Sequence, residues 1–259
     1  MLLLCDLDGV VWLAHQPLPG SVEALESWRG AGHEVVFCTN NSFNTIAEQE
    51  RFLSAIGVDA SNRVVSSATA AGNLVAAGEV VLVCGGPGIV EAVTTRGATA
   101  VVPDQDFANV DTVIVGFDRT FDYLKLKIAS EAVRDGARLI GTNHDPTYPT
   151  PDGEIPGGGA LVAAVAYASE TEAIFAGKPM RPMFTAAMSS AERLVDRALD
   201  TNEIFVVGDR DDSDGEFARR NGVSFCHVKT GVKTQPSSGV RSFADLETVV
   251  SQLLGARDA

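Results

Sequence analysis

The chain predicts an α/β fold, a doubly wound parallel sheet with a second domain set into it, on three observations. Short aliphatic or β-branched runs alternate with longer amphipathic stretches along most of the sequence, a rhythm that builds parallel sheets covered by helices on both faces. Acidic and polar residues follow several of the apolar runs directly, at the carboxyl ends of strands where such folds bind ligands. The length of 259 residues exceeds one typical small domain and suits two.

The elements follow in order. Leu2–Cys5 reads as a strand, and 21–31 as a helix with Val22, Leu25 and Trp28 on one face. Residues 35–38 form a second strand. A helix over 45–56 follows, with Thr45 as cap, Glu48 three residues on as in a capping box, and Gly57 as its stop. Val64 and Val65 start a short strand, and 68–77 read as a helix. Strands over 80–83 and 112–115 are each followed by a helix, over 89–96 and 123–135. Strands over 204–207 and 223–228 are followed by helices over 216–221 and 243–254. The segment 142–159 is crowded with Asn, Asp, Pro and Gly and reads as one long loop, a length usually reserved for function. Its end, Gly157-Gly158-Gly159, precedes an Ala/Val-rich helix and reads as a flexible helix entry or, less directly, as an anion site made of backbone amides.

Composition excludes several classes. Hydrophobic residues make up 45% and charged residues 21%, enough apolar surface to offset the entropy of ordering. The net charge of −14, from 34 acidic and 20 basic residues, disfavours nucleic acid and anionic membrane as partners. It also repels phosphate at long range, so a phosphate site has to be locally positive. No apolar run approaches the ~18 residues of a membrane helix, and the first residues lack the basic region of a signal peptide. Cys5, Cys38, Cys84 and Cys226 each lie in or at the end of an apolar run with no C-x-x-C spacing, as buried thiols of a reducing cytoplasm.

Four groups carry the chemistry. Asp6-Leu7-Asp8-Gly9 follows the first strand, and its two carboxylates, two residues apart, face one side. The acids and the twelfth-position glutamate of a calcium-binding EF-hand loop are missing. Thr39-Asn40-Asn41-Ser42 follows the second strand with hydroxyls and amides suited to phosphate oxygens. Lys178, one of five lysines, stands between Gly177 and Pro179 after an apolar segment. Gly208-Asp209-Arg210-Asp211-Asp212-Ser213-Asp214 follows the 204–207 strand, and acids so crowded call for a bound cation. Each group alone is an ordinary turn, polar loop, surface lysine or solvated acidic loop.

In this order, acid pair, hydroxyl, lysine and acid cluster resemble the motif set of the haloacid dehalogenase superfamily. DLDGVVW, TNNS, TNHDPTYPTPDGEIPGGGA, GKP and GDR-x-x-S-D look like its subgroup IIA, which includes NagD-like and 4-nitrophenylphosphatase-like phosphatases, over 2–232. The resemblance implies a Rossmann-like core, residues 1–81 and 173–259, and an inserted α/β cap of the C2 type, residues 82–172. It implies a Mg2+-dependent phosphatase acting on a small phosphorylated metabolite through an aspartyl-phosphate, in the cytoplasm and compatible with a homodimer made through the cap. Asp6 would be the nucleophile and Asp8 the general acid/base. Thr39, Asn40 and Lys178 would hold phosphoryl oxygens. Asp6, Asp8 and Asp209 would bind the metal, with Asp214 in or just outside that shell, and Tyr148 would contact substrate. A metal is needed on energetic grounds: at about 4 Å and an effective dielectric of about 20, a carboxylate meeting a phosphate dianion costs about 8 kcal/mol.

The chain departs from the family pattern at Asp211, Ser213 and Gly215, which implies a more acidic and more flexible metal loop, and at Phe43-Asn44, near the expected substrate contacts. The alternatives are a phosphotransferase or phosphomutase of the same superfamily, a receiver-like phospho-acceptor, and a silent binding protein. A receiver needs neither the acid at Asp8 nor a cap, and dehalogenation does not use that acid.

Overall fold

The run Leu2–Cys5 is buried on both faces, as a central strand of a parallel sheet must be. It pairs in parallel with Ile204–Gly208 on one side, Leu2 opposite Ile204, and with Glu34–Thr39 on the other, Leu2 opposite Glu34. The full sheet has six strands in the order Arg241–Phe243, Ser224–Val228, Ile204–Gly208, Leu2–Cys5, Glu34–Thr39, Val64–Ser66. After Leu2–Cys5 the chain moves to one side of the sheet, and later segments build the other. The carboxyl end of the first strand therefore lies at the topological switch point, the place where open α/β sheets bind ligands. The computed structural model describes residues 1–103, 109–150, 153–195, 197–231 and 235–256.

By its contacts the chain divides into two units. The first comprises Met1–Thr39, Ala47–Val65 and Lys178–Ala259. In it, helices Ser21–Gly30 and Leu246–Gly255 pack on each other, as do Arg181–Glu192 and Glu216–Asn221. Trp28 anchors the Ser21–Gly30 helix: its ring is fully buried, and its indole N–H donates to the Glu34 carbonyl at 2.8 Å, so no polar atom is left stranded.

The second unit comprises Asn40–Ile46 and Ser66–Gly177, and so contains the whole of the expected insert 82–172. It has its own five-stranded parallel sheet, in the order Ile174–Phe175, Arg138–Gly141, Thr112–Val115, Val80–Cys84, Thr99–Val101. A separate apolar cluster fills it, with Leu82, Val113, Val115 and Leu139 from the sheet packed on Val133 and Val162 from helices Tyr123–Arg134 and Gly158–Ser169.

The architecture is thus parallel sheets flanked by helices, as the alternation predicts. Three local expectations need correction. Within 142–159 lies an antiparallel hairpin, Thr147–Thr150 with Gly153–Pro156, where a single loop is expected. Proline and glycine density hid it, because such residues suit two short strands at a tight turn as well as a loop. Pro151 and Asp152 lie outside the described residues. The helix expected over 68–77 covers only Ser67–Gly72. Gly72 ends it, and a Cβ there would come within 2.9 Å of Ala92 in the neighbouring Pro87–Thr95 helix, so close packing requires glycine. The last helix begins at Leu246, three residues later than its apolar period suggests, because Asp245 caps it by accepting from the Thr248 N–H at 2.8 Å. Phe243 instead ends an edge strand. All four cysteines are free and buried. No helix among the described residues is long and apolar enough to cross a membrane.

Replacing Trp28 by Ala is expected to cost about 3–5 kcal/mol, the usual range for a buried aromatic. Equilibrium urea unfolding followed by circular dichroism checks this, and a loss below about 1 kcal/mol would mean that the indole does not anchor the helix.

Candidate active site

Asp6 is the first residue beyond the central strand, and its N–H donates to the Val207 carbonyl at 2.9 Å, which continues the sheet ladder by one bond. The chain then turns sharply. Gly9, at φ 84°, occupies the left-handed region that favours glycine, and its N–H donates to the Trp12 carbonyl at 2.8 Å. The turn brings Trp12 back onto Asp8, where the indole N–H donates to Oδ1 at 3.1 Å.

Lys178 is 2% exposed, and its Nζ lies 2.7 Å from Asp6 Oδ1 and 2.6 Å from Asp214 Oδ1. Asp6, Asp209 and Asp214 each offer a carboxylate oxygen within 4.8 Å of the other two. Asp214 is fully buried and also accepts from the Arg210 N–H at 3.2 Å. Gly208 makes room for it, since any Cβ at 208 would collide with the Asp214 carboxylate.

Burial raises the carboxyl pKa of Asp6, with Lys178 opposing it, and that of Asp8, with the Trp12 hydrogen bond opposing it. Asp214 is likewise pushed up by burial, against the pull of Lys178. Burial disfavours the charge on Lys178, but Asp214 and Asp6 overcome this and hold its pKa well above the ordinary lysine range. One ammonium is thus held by Asp6 and Asp214 beside Asp209, and this group carries two net negative charges when all three carboxylates are ionised. The donors are hard oxygens, and a divalent cation such as Mg2+ fits both their chemistry and their charge.

The structure brings Asp6, Asp8, Lys178, Asp209 and Asp214 together in the first unit, and Thr39 ends the strand next to Asp6, buried at 2% exposure. Asn40 begins the second unit. There its Nδ2 donates to Asp145 Oδ2 at 3.0 Å, and its carbonyl accepts from Ser67 Oγ and Asn143 Nδ2, each at 2.8 Å. Tyr148 lies in the first strand of the hairpin, its ring 4.9 Å from that of Phe117 and tilted by 35°.

The acidic loop differs from its sequence expectation. Residues Asp211–Gly215 form a single wide helical turn. Asp212 pairs with Arg210 at 2.9 Å. Asp211 accepts from Arg219 at 2.8 Å and from both the N–H and the hydroxyl of Ser237, at 2.8 and 2.5 Å. Neither extra acid is a spare metal ligand. Gly215 is not there for flexibility either: a Cβ at 215 would collide with Asp211 Oδ1. The two departures from the family pattern compensate each other, because a buried aspartate at 211 requires the missing side chain at 215. Trp12, Arg219 and Ser237 are among the site-supporting residues the sequence did not reveal: Trp12 and Arg219 reach their aspartates through the local path of a turn and a helix, and Ser237 through a contact between separate segments.

Gly215→Ala is therefore expected to destabilise the protein by about 1–3 kcal/mol through overpacking. Adding Asp211→Ala should recover part of that loss, which a double-mutant cycle of urea midpoints measures; strict additivity would deny the coupling.

The family profile of haloacid dehalogenase-like hydrolases matches residues 3–99, and a related HAD-hydrolase-like profile matches residues 175–253. An acid sugar phosphatase of Staphylococcus haemolyticus is 32% identical, over 96% of this chain and 95% of its own. A glycerol phosphate phosphatase of Mycobacterium tuberculosis, solved in complex with magnesium, superposes with a TM-score of 0.82 at 33% identity, over 96% of this chain and 75% of its own. A 4-nitrophenylphosphatase of Thermotoga maritima superposes with a TM-score of 0.83 at 27% identity, over 96% of each chain. Motif order, strand-end geometry and similarity along nearly the whole length agree: the chain belongs to the haloacid dehalogenase-like hydrolases, in the branch of the NagD-like and 4-nitrophenylphosphatase-like proteins.

Proposed function

We propose that this protein is a Mg2+-dependent phosphatase that hydrolyses the phosphomonoester of a small metabolite through an aspartyl-phosphate on Asp6. The observation that carries the reading is the buried Lys178 ammonium held between Asp6 and Asp214, with Asp209 completing the carboxylate group. Relatives named for sugar phosphate, glycerol phosphate and nitrophenyl phosphate support the substrate class.

An Asp6 Oδ attacks phosphorus in line with the ester oxygen. The Asp6 O–P bond forms as the P–O ester bond breaks, and Asp8 gives its proton to the departing oxygen. Burial shifts the Asp8 pKa upward, the direction a general acid needs. In the second step Asp8 takes a proton from water. The water oxygen then displaces Asp6 from phosphorus, and inorganic phosphate leaves. Trp12 holds Asp8 in place for both transfers. Lys178 offsets the charge of the nucleophile and, with Thr39 and Asn40, holds the phosphoryl oxygens. Bound by Asp6, the Asp8 carbonyl and Asp209, with Asp214 in or just outside that shell, Mg2+ would supply charge neutralisation for the phosphoryl group.

In this reading residues 82–172 serve as the cap and Tyr148 contacts substrate. Four buried, unpaired cysteines support a cytoplasmic setting. Exposed Tyr123, Leu124 and Tyr167 on the second unit support a second copy of the chain as a partner.

Hydrolysis of 4-nitrophenyl phosphate with Mg2+ is expected to stop with EDTA and to fall by at least about 10³-fold in Asp6→Asn, as removal of a nucleophile does. Wild-type turnover by Asp6→Asn would overturn the assignment. A stable phosphoenzyme without turnover would mark a phospho-acceptor, and phosphate appearing on an added alcohol rather than in solution a phosphotransferase.

A further inference from the structure

Beyond Asp209, the chain brings a further segment to the site that no sequence motif marks. Strand Ser224–Val228 lies beside Ile204–Gly208 with His227 opposite Gly208, so His227 stands next to Asp209. His227 is 3% exposed, and its Nε2 lies 3.1 Å from the Asp209 carbonyl oxygen. A carbonyl only accepts, so Nε2 carries a proton. In the neutral ring Nδ1 then accepts from Ser242 Oγ at 2.9 Å, and Ser242 is the residue opposite His227 on the next strand.

Past the end of that strand, Thr230 Oγ1 donates to the Gly9 carbonyl at 2.5 Å. The segment thus crosses the end of the Ile204–Gly208 strand and reaches the turn that carries Asp6 and Asp8. Gly231 lies against the Asp209 side chain: a Cβ there would collide with Oδ2 and come within 2.7 Å of the Gly9 Cα. From the other side, a Cβ on Gly9 would lie 2.7 Å from the Asp209 Cγ and Oδ2. Two glycines with no side chain therefore flank one buried carboxylate, and a histidine holds its main chain.

We infer that residues His227, Thr230 and Gly231 form a clamp that fixes the Asp209 carboxylate in the orientation a divalent cation needs. The clamp touches neither substrate nor cation; its members are positioning residues, acting through Asp209. His227 fixes the main chain after the strand, Gly231 and Gly9 leave a slot of one carboxylate's width, and the Thr230 hydroxyl ties that slot to the turn bearing the other ligands. Partners of this kind, one bond removed from a metal, commonly change affinity by about 10- to 100-fold when lost.

The inference rests on the reading of Asp209 as a cation ligand, so the test separates the two. Mg2+ alone is titrated calorimetrically into the full-length, metal-stripped protein, with thermal melting recorded in parallel. Asp209→Asn is the control, and loss of Mg2+ binding in it is expected. Gly231→Ala and His227→Leu are expected to raise the Mg2+ Kd by about tenfold or more. His227→Gln, which keeps an N–H for the Asp209 carbonyl, should stay within about threefold of wild type. At saturating Mg2+ the KM for 4-nitrophenyl phosphate should be unchanged in the His227 and Gly231 variants. If either stronger variant fails to melt cooperatively, Thr230→Val against Thr230→Ser decides, with weaker Mg2+ binding expected only for valine. Wild-type Mg2+ affinity in these variants, alongside loss in Asp209→Asn, would overturn the clamp and leave the cation reading intact. Wild-type affinity in Asp209→Asn would overturn the cation reading itself.

Discussion

A buried ammonium between two carboxylates, one of them fully buried, sets the terms for the rest of this site. Lys178 is nearly inaccessible to water, and an isolated charge in such a place would cost several kcal/mol or lose its proton. It stays charged because Asp6 and Asp214 both lie within hydrogen-bond distance. The converse also holds: with Lys178 removed, Asp6, Asp209 and Asp214 would crowd one small volume with no internal counter-charge. Every nearby feature is arranged around that balance. Gly208 leaves space for Asp214, the Arg210 N–H satisfies its second oxygen, and the parallel register sets the first and 204–208 strands side by side so that their ends converge.

The same balance explains why the loop after Gly208 can be so acidic without being a larger cation trap. Asp211 and Asp212 are each paired with an arginine, and Asp211 is also bound by Ser237. The negative charge left over is confined to the group that includes Lys178. Acidity of a loop and acidity of a site are different quantities, and only side-chain geometry separates them.

Much of this was legible in the sequence. Alternating apolar and amphipathic runs identify a parallel α/β fold, because burial on both sheet faces leaves a strong composition signal. Asp6, Asp8, Lys178, Asp209 and Asp214 stand out because each ends or follows an apolar run. The hairpin inside 142–159 was not legible, because Pro and Gly mark strand edges, turns and loops alike. Nor were Trp12 on Asp8, Ser237 on Asp211 or His227 on Asp209. The first depends on the backbone path of one tight turn, and the other two join positions whose meeting depends on how distant segments are brought together. Gly215 was misread for a related reason: a glycine in a sequence announces freedom, whereas here it records the space taken by a neighbour.

The order of the central sheet has a consequence for how the protein is made. Leu2–Cys5 is synthesised some two hundred residues ahead of one of its two neighbours, Ile204–Gly208. Until then this wholly apolar strand has an open edge, while Ser66–Gly177, which carries its own sheet and apolar cluster, is already complete. The second unit can fold before the six-stranded sheet of the first is closed. The nascent chain meanwhile carries an unpaired hydrophobic edge for roughly ten seconds or more at ordinary rates of synthesis. Chaperone engagement during translation thus falls to the Leu2–Cys5 strand, rather than to the second unit.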